Sequence, residues 1–306
     1  MKKLIDYLSS ETRIGNKGLI EKDILLHNLL IKVSQDDHFK NNLVFKGGTC
    51  LIKCYFDYYR FSEDLDFSWI NQSEFKNKSQ KEIRRILSQK IDILMNIFAK
   101  FSEELKLEFK PDKTNNEYVE LGRSNKFVTF KIWYKSAVTE RRQFIKIQIN
   151  FVELFQYGFN HCKASSIIKP VDPKEFEFLF PEYVLILSNP ELKCYDVKEI
   201  LIEKFRAILT RKGVKARDFI DIFLIAKKEK IDPRKLEREI LEKIRFALKY
   251  EKYLQNLENF KIERFVLGEE EKLILKPIPE GFEEFLKSTH EFLDELYETL
   301  RDRTCL

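Results

Sequence analysis

Apolar positions recur at helical spacing from Glu21 to Phe39, with Ile24, Leu25, Leu29 and Val33 on one face. The short apolar run Leu43, Val44, Phe45 then reads as a strand, and Gly47 and Gly48 break it. Thr49 is placed to cap a new helix carrying Leu51, Ile52, Tyr55 and Phe56. After a polar turn, Asp64-Leu65-Asp66-Phe67 alternates polar and apolar with a period of two, which is strand periodicity. Ser73 to Leu105 carries a long helical pattern, and Phe127–Tyr134 and Phe144–Phe151 alternate as a strand pair.

The second half changes character. Cys194 and Tyr195 close a short strand, and Val197 to Arg211 follows as a helix with Ile200, Leu201, Phe205 and Ile208 inward. Lys212 and Gly213 end it, glycine being the favoured residue past a helix C-terminus. Further helices are expected over Ala216–Lys228, Pro233–Leu257 and Pro279–Leu300. The expected fold class is therefore α+β: a sheet flanked by helices over residues 1–165, then a mostly helical C-terminal domain over 166–306. The boundary is placed between Val152 and Pro190, where Pro170, Pro173, Pro181 and Pro190 punctuate the chain. No internal repeat or low-complexity segment is present.

Composition narrows the function classes. The 306 residues are 43% hydrophobic and 34% charged, and 27 of them are Phe, so a large aromatic core is expected. No apolar run approaches the roughly 20 residues of a membrane span, and no long apolar stretch follows the first lysines. No signal peptide is read, and the expected location is the cytoplasm. A net charge of +5 and a pI near 8.7 permit nucleic-acid binding without demanding it. Cys50, Cys54, Cys162, Cys194 and Cys305 contain no C-x-x-C pair, and they read as small buried hydrophobes in a reducing compartment. His27, His38, His161 and His290 form no ligand spacing.

The chemistry concentrates in Phe45-Lys46-Gly47-Gly48-Thr49 followed by Arg60-Phe61-Ser62-Glu63-Asp64-Leu65-Asp66-Phe67. Two glycines after a strand let backbone approach a phosphate, and the helix that starts there turns its amides toward an anion. Gly48 is expected to take a positive φ. Asp64 and Asp66, two apart on a strand, project to one face and make a ligand pair for a hard divalent cation such as Mg2+. Such a cation bridges nucleotide phosphates and lowers the pKa of an attacking hydroxyl. A Gly-Gly alone is usually a turn, and an Asp-x-Asp alone is usually a solvated edge. Their order and strand–turn–helix–strand setting make the combination far more specific.

Gly47-Gly48-Thr49, Arg60-Phe61-Ser62 and Asp64-Leu65-Asp66-Phe67 resemble the signature of the polymerase-β-like nucleotidyltransferases. More narrowly they resemble the toxin subunit of type E abortive-infection systems, the AbiEii/AbiGii toxin family. Glu203-Lys204-Phe205-Arg206-Ala207, Arg211 and Arg217-Asp218-Phe219-Ile220-Asp221 are similar to that family's C-terminal motif. The likeness runs from about Lys22 to Lys228. It implies a polymerase-β-like nucleotidyltransferase sheet, a nucleoside triphosphate substrate and Mg2+. It also implies a cognate antitoxin and an RNA acceptor, which in some relatives is the 3′ end of tRNA.

Asp64, Asp66, Lys204 and Asp221 are the expected catalytic residues, the first two as metal ligands. Gly47, Gly48, Thr49, Arg60, Ser62, Lys146, Arg211, Arg217 and Asp218 are expected to bind or position the nucleotide. Lys204 and Arg211 share a helical face at i and i+7 and could reach phosphates, while Asp218 and Asp221 could orient them or act as a base. The bland reading makes Arg217 and Asp221 a surface ion pair at i and i+4.

One departure matters. The wider superfamily often carries a third carboxylate on a neighbouring strand, whereas Ile145–Phe151 places neutral Gln148 and Asn150 there. Glu153 has the wrong parity for a straight strand. Lys146 shares the face of Gln148 and Asn150. The neutral pair motivates an alternative, a catalytically weakened nucleotide- or RNA-binding protein on the same fold. A third option is nucleotide transfer to a protein or small molecule.

Overall fold

A computed structural model describes residues 1–122, 126–168, 171–261 and 265–304. Pro170 and Cys305, singled out above, lie outside the described residues. The first helices are set by their caps. Asn16 accepts from the Leu19 N–H to start α2 (Lys17–Gln35), which follows α1 (Lys2–Thr12). Asp36 accepts from the Phe39 N–H and opens α3 (Asp37–Asn42), so the run expected to be one helix to Phe39 is two. A capping box between Ser79 and Glu82 fixes the start of α5 (Gln80–Glu104). Gln72–Phe75 is a separate 3-10 turn, which shortens the helix expected from Ser73.

Seven strands form one mixed sheet: β1 (Leu43–Lys46), β2 (Asp64–Trp69), β3 (Val119–Leu121), β4 (Phe127–Lys135), β5 (Arg142–Asn150), β6 (Phe159–Lys163) and β7 (Glu191–Tyr195). Their order is β3-β4-β5-β2-β1-β7-β6. β2 pairs antiparallel with β1 and parallel with β5, and β1 pairs parallel with β7. The alternation of β2 and β5 sends Leu65, Phe67, Ile147 and Ile149 to an apolar face, where all are buried. There Phe45 and Phe39 pack on Phe67 at centroid distances of 5.2 and 5.5 Å, and Phe98 of α5 packs on Phe130 at 4.9 Å. The opposite face carries Lys46, Asp64, Asp66, Ser68, Lys146, Gln148 and Asn150.

Between β1 and β2 the chain makes α4 (Gly47–Cys50), which runs into one turn of π-helix, Leu51–Tyr55. The helix begins at Gly47, and its first residues have no side-chain cap. Thr49 is therefore not the cap expected. Its hydroxyl donates to the Asp64 carbonyl at 2.5 Å and ties the helix to β2.

The chain packs as two compact units, residues 1–153 with 159–195, and residues 154–158 with 196–306. The second unit is helical: α7 (Val197–Thr210), α8 (Ala216–Glu229), α9 (Glu237–Leu248), α10 (Glu251–Glu258) and α11 (Phe282–Thr304) follow α6 (Pro173–Leu179) of the first unit. The single helix expected over Pro233–Leu257 is a 3-10 turn and then α9 and α10. Inside this unit Lys243 is fully buried against Glu199 and Glu203 at 2.7 and 3.0 Å. Glu199 also accepts the Gln156 and Tyr157 N–H groups at 2.9 Å, which pins residues 154–158 to α7. Burial raises the Glu199 carboxyl despite Lys243. The fold is thus α+β, as expected from the alternating and helical halves of the sequence.

Candidate active site

The sheet face opposite the aromatic core gathers most of the expected residues of the first unit. β1 and β2 set Lys46 opposite Asp66, and β2 and β5 set Asp64 opposite Lys146 and Asp66 opposite Gln148. Both carboxylates are half-buried, so they stay reachable from solvent while a rigid strand fixes their spacing. Gly47 has φ +78°, the left-handed region that favours glycine. A Cβ placed on it would overlap the Asp66 carboxylate and lie 3.0 Å from Asp66 Cβ and Cγ. Gly48 does not share the positive φ expected of it. It is glycine because a Cβ would stand 2.7 Å from Arg60 Nη2 and 3.1 Å from Ser62 Oγ. The two glycines thus admit side chains of the chain itself, one a carboxylate and one a guanidinium.

Arg60 is 1% exposed, donates to the Phe61 carbonyl at 2.7 Å and lies over the Tyr59 ring. A buried arginine held this way is a fixed positive charge beside the Gly-Gly turn. The structure therefore brings together Gly47, Gly48, Thr49, Arg60, Ser62, Asp64, Asp66 and Lys146. Asp64 and Asp66 present two carboxylates on one strand face, the donor type that hard divalent cations take.

Three residues near this face escaped the sequence reading. Lys46, buried between β1 and β2, pairs with Glu153 at 3.1 Å and lies over the Tyr195 ring. Glu153 was set aside on strand parity. The chain bends after Asn150, and the Glu153 carboxylate returns to the face of Asp66, where it also accepts from the Asn150 amide at 3.2 Å. Tyr195 on β7 shares a hydrogen bond with Ser68 of β2 at 2.7 Å. The usable signal was Lys46 itself, a lysine at a position that the surrounding apolar run marks as buried.

In the second unit, Lys204 lies between two carboxylates, 2.7 Å from Asp218 and 2.6 Å from Asp221. Asp218 also takes the Arg211 guanidinium at 2.8 Å. Burial alone would raise Asp218, but the Lys204 and Arg211 charges override it and hold the carboxyl below its usual range. Both aspartates are thus ion-paired, Asp218 with Lys204 and Arg211 and Asp221 with Lys204. Arg217 stands apart from them and pairs with Glu270 at 3.2 Å rather than with Asp221.

Among solved structures the chain is similar to JHP933 from Helicobacter pylori, at 14% identity and a TM-score of 0.42, over 95% of this chain and 96% of that one. It is similar also to a candidate nucleotidyltransferase from H. pylori, at 15% identity and a TM-score of 0.41, over 94% and 98%. No curated protein matches. The family described as "Nucleotidyl transferase AbiEii toxin, Type IV TA system" matches residues 29–302. That span covers most of the sequence, and the chain accordingly belongs to the AbiEii nucleotidyl transferase toxins of type IV toxin–antitoxin systems.

Proposed function

We propose that this enzyme is a type E abortive-infection toxin that acts in the cytoplasm. In this reading it transfers a nucleoside monophosphate from a nucleoside triphosphate to RNA, with the 3′ end of tRNA as the first acceptor to test, and releases pyrophosphate. The observation that carries this reading is the placement of Asp64 and Asp66 on one strand face, with Asp66 so close to Gly47 that a Cβ there would collide with it. Asp64 and Asp66 would hold Mg2+, which supplies charge neutralisation and a more acidic attacking hydroxyl.

The chain's own residues do the rest. The Gly47-Gly48 turn makes room for the Asp66 carboxylate and the Arg60 guanidinium, and Arg60 and Lys146 bring positive charge to that part of the sheet face. Thr49 holds the helix start against the first residue of β2, and Ser62 lies beside Gly48. In the second unit, Lys204 and Arg211, held by Asp218 and Asp221, are the cations this reading assigns to the triphosphate, and Arg217 is paired with Glu270. Preorganised cations of this sort act most strongly where water is excluded. Glu153 brings a carboxylate back to the face of Gln148 and Asn150, where it is neutralised by Lys46.

No described helix is long and apolar enough to cross a membrane. A toxin of this family implies an antitoxin partner. The test is incubation of the protein with each labelled nucleoside triphosphate, Mg2+ and total RNA. Label in small RNA supports the reading. Label in protein alone, or none in any fraction, contradicts it.

A further inference from the structure

The cysteines, scattered in sequence, meet in the first unit. Cys50 and Cys54 lie one turn apart on α4 and its π-helical extension, Cys194 on β7 and Cys162 on β6. The thiols of Cys50, Cys54 and Cys194 all lie within 4.8 Å of one another, and Cys54 Sγ is 3.7 Å from Cys194 Sγ. Cys162 lies on the same sheet face of β6, diagonal to Cys194 in the β6–β7 register, and outside that 4.8 Å group.

These spacings exclude one chemistry and leave room for another. Bonded sulfurs in a disulfide stand about 2.05 Å apart. Four thiolates at about 2.3 Å from a tetrahedral zinc have edges of about 3.8 Å. The Cys54–Cys194 separation excludes a formed disulfide and fits the second value, which is also the contact distance of two sulfurs. Packing explains one buried cysteine. It does not explain why two segments distant in sequence bring three thiols within 4.8 Å of one another, with Cys162 on the adjoining strand.

We infer that Cys50, Cys54, Cys194 and Cys162 form a thiolate site for one thiophilic d10 cation, Zn2+ or Cu+. Zn2+ takes all four sulfurs, whereas Cu+ takes the three of Cys50, Cys54 and Cys194. Each ligating thiol releases its proton to solvent, so affinity rises with pH. The ion would clamp the helix that starts at Gly47 to β7 and β6, and so set the floor on which Gly47, Thr49 and Asp66 are arranged. This site is separate from the Asp64–Asp66 pair: its donors are sulfur, and the Mg2+ donors are oxygen.

The test uses the full chain, purified under reducing conditions without chelator, with metal content read by inductively coupled plasma mass spectrometry. One zinc or one copper per chain is expected. The metal-stripped, reduced protein titrated with Co2+ should develop thiolate-to-cobalt charge transfer and the intense visible bands of a tetrahedral ion. Cys54→Ser should abolish both signals. Cys162→Ser should abolish zinc and spare copper, and Cys305→Ser should change nothing. Asp64→Asn should leave the cobalt spectrum intact, which separates this claim from the catalytic one.

If the serine variants fail to fold, thiol alkylation of the wild type with and without Zn2+ gives the same answer, through protection of these cysteines. Protein that carries neither zinc nor copper as purified, and whose metal-free form gives no cobalt–thiolate band, overturns the inference. So does a non-reduced protein that is lighter by two hydrogens because Cys54 and Cys194 are joined.

Discussion

The Asp66 carboxylate fills the space in which a Cβ on Gly47 would stand, so the glycine and the acid are one fitted pair. Gly47 also has φ +78°, which costs an L-residue roughly 1–2 kcal/mol. Gly47→Ala should therefore lose about that stability by thermal melting and displace Asp66 from its position. Nucleotide transfer should fall well beyond the fraction of protein unfolded. A folded Gly47→Ala enzyme of normal activity would show that Asp66 has no fixed role.

Lys46 and Glu153 form a nearly dry ion pair, their side chains only 10% and 7% exposed. Removing one member of such a pair strands the other and costs on the order of 3–5 kcal/mol. Lys46→Met and Glu153→Gln should each lower the denaturant midpoint, and the double variant should lose much less than the sum. Strictly additive losses would mean the pair contributes no coupling.

His27 links stability to mild acid. It is fully buried, its Nε2–H donates to the Ser188 carbonyl at 2.9 Å, and its Nδ1 has no partner among the described residues. Burial, and then the Lys53 charge, push its pKa from 6.5 to about 4. The unfolded chain thus takes up this proton first as pH falls. The contribution is complete above pH 6.5 and is lost between there and pH 4, by about 3 kcal/mol in all. Denaturation at pH 7 and pH 4.5 should show the fall, and His27→Gln should flatten it. An equally steep profile in the variant would assign the effect elsewhere.

Lys204 is held by two buried aspartates, so its removal has two consequences. Lys204→Ala should destabilise the helical unit, because Asp221 and Asp218 then lose a countercharge. Assayed well below its melting temperature, it should still lose about 100-fold or more in transfer rate. Lys212→Ala, at an exposed position past the helix, should behave as wild type. Equal activity of the two variants would remove Lys204 from the chemistry.

Much of the architecture was legible because local signals agree with the tertiary result. Period-two alternation marked β2, β4 and β5, and helical spacing marked α7 and α8. The Gly-Gly turn and Asp-x-Asp strand were found because their residues are near in sequence. What stayed hidden depends on long-range packing. β6 is a short polar strand, Phe159–Lys163, that only pairing with β7 stabilises. Glu153 returns to the polar face because the chain bends after β5, and a parity argument assumes no bend. Gly48 was expected to need its backbone freedom, whereas the structure shows that Arg60 needs its space. The cysteines share no motif spacing, and they meet only because α4, β6 and β7 do.

The most direct measurement is transfer of label from a nucleoside triphosphate to RNA by wild type, Asp64→Asn and Asp66→Asn in the presence of Mg2+. Each substitution keeps the size of the side chain and removes one charged ligand for the cation. The account predicts Mg2+-dependent labelling by the wild type, no detectable labelling by either variant, and melting curves that overlay. Labelling by either variant near the wild-type rate would contradict it.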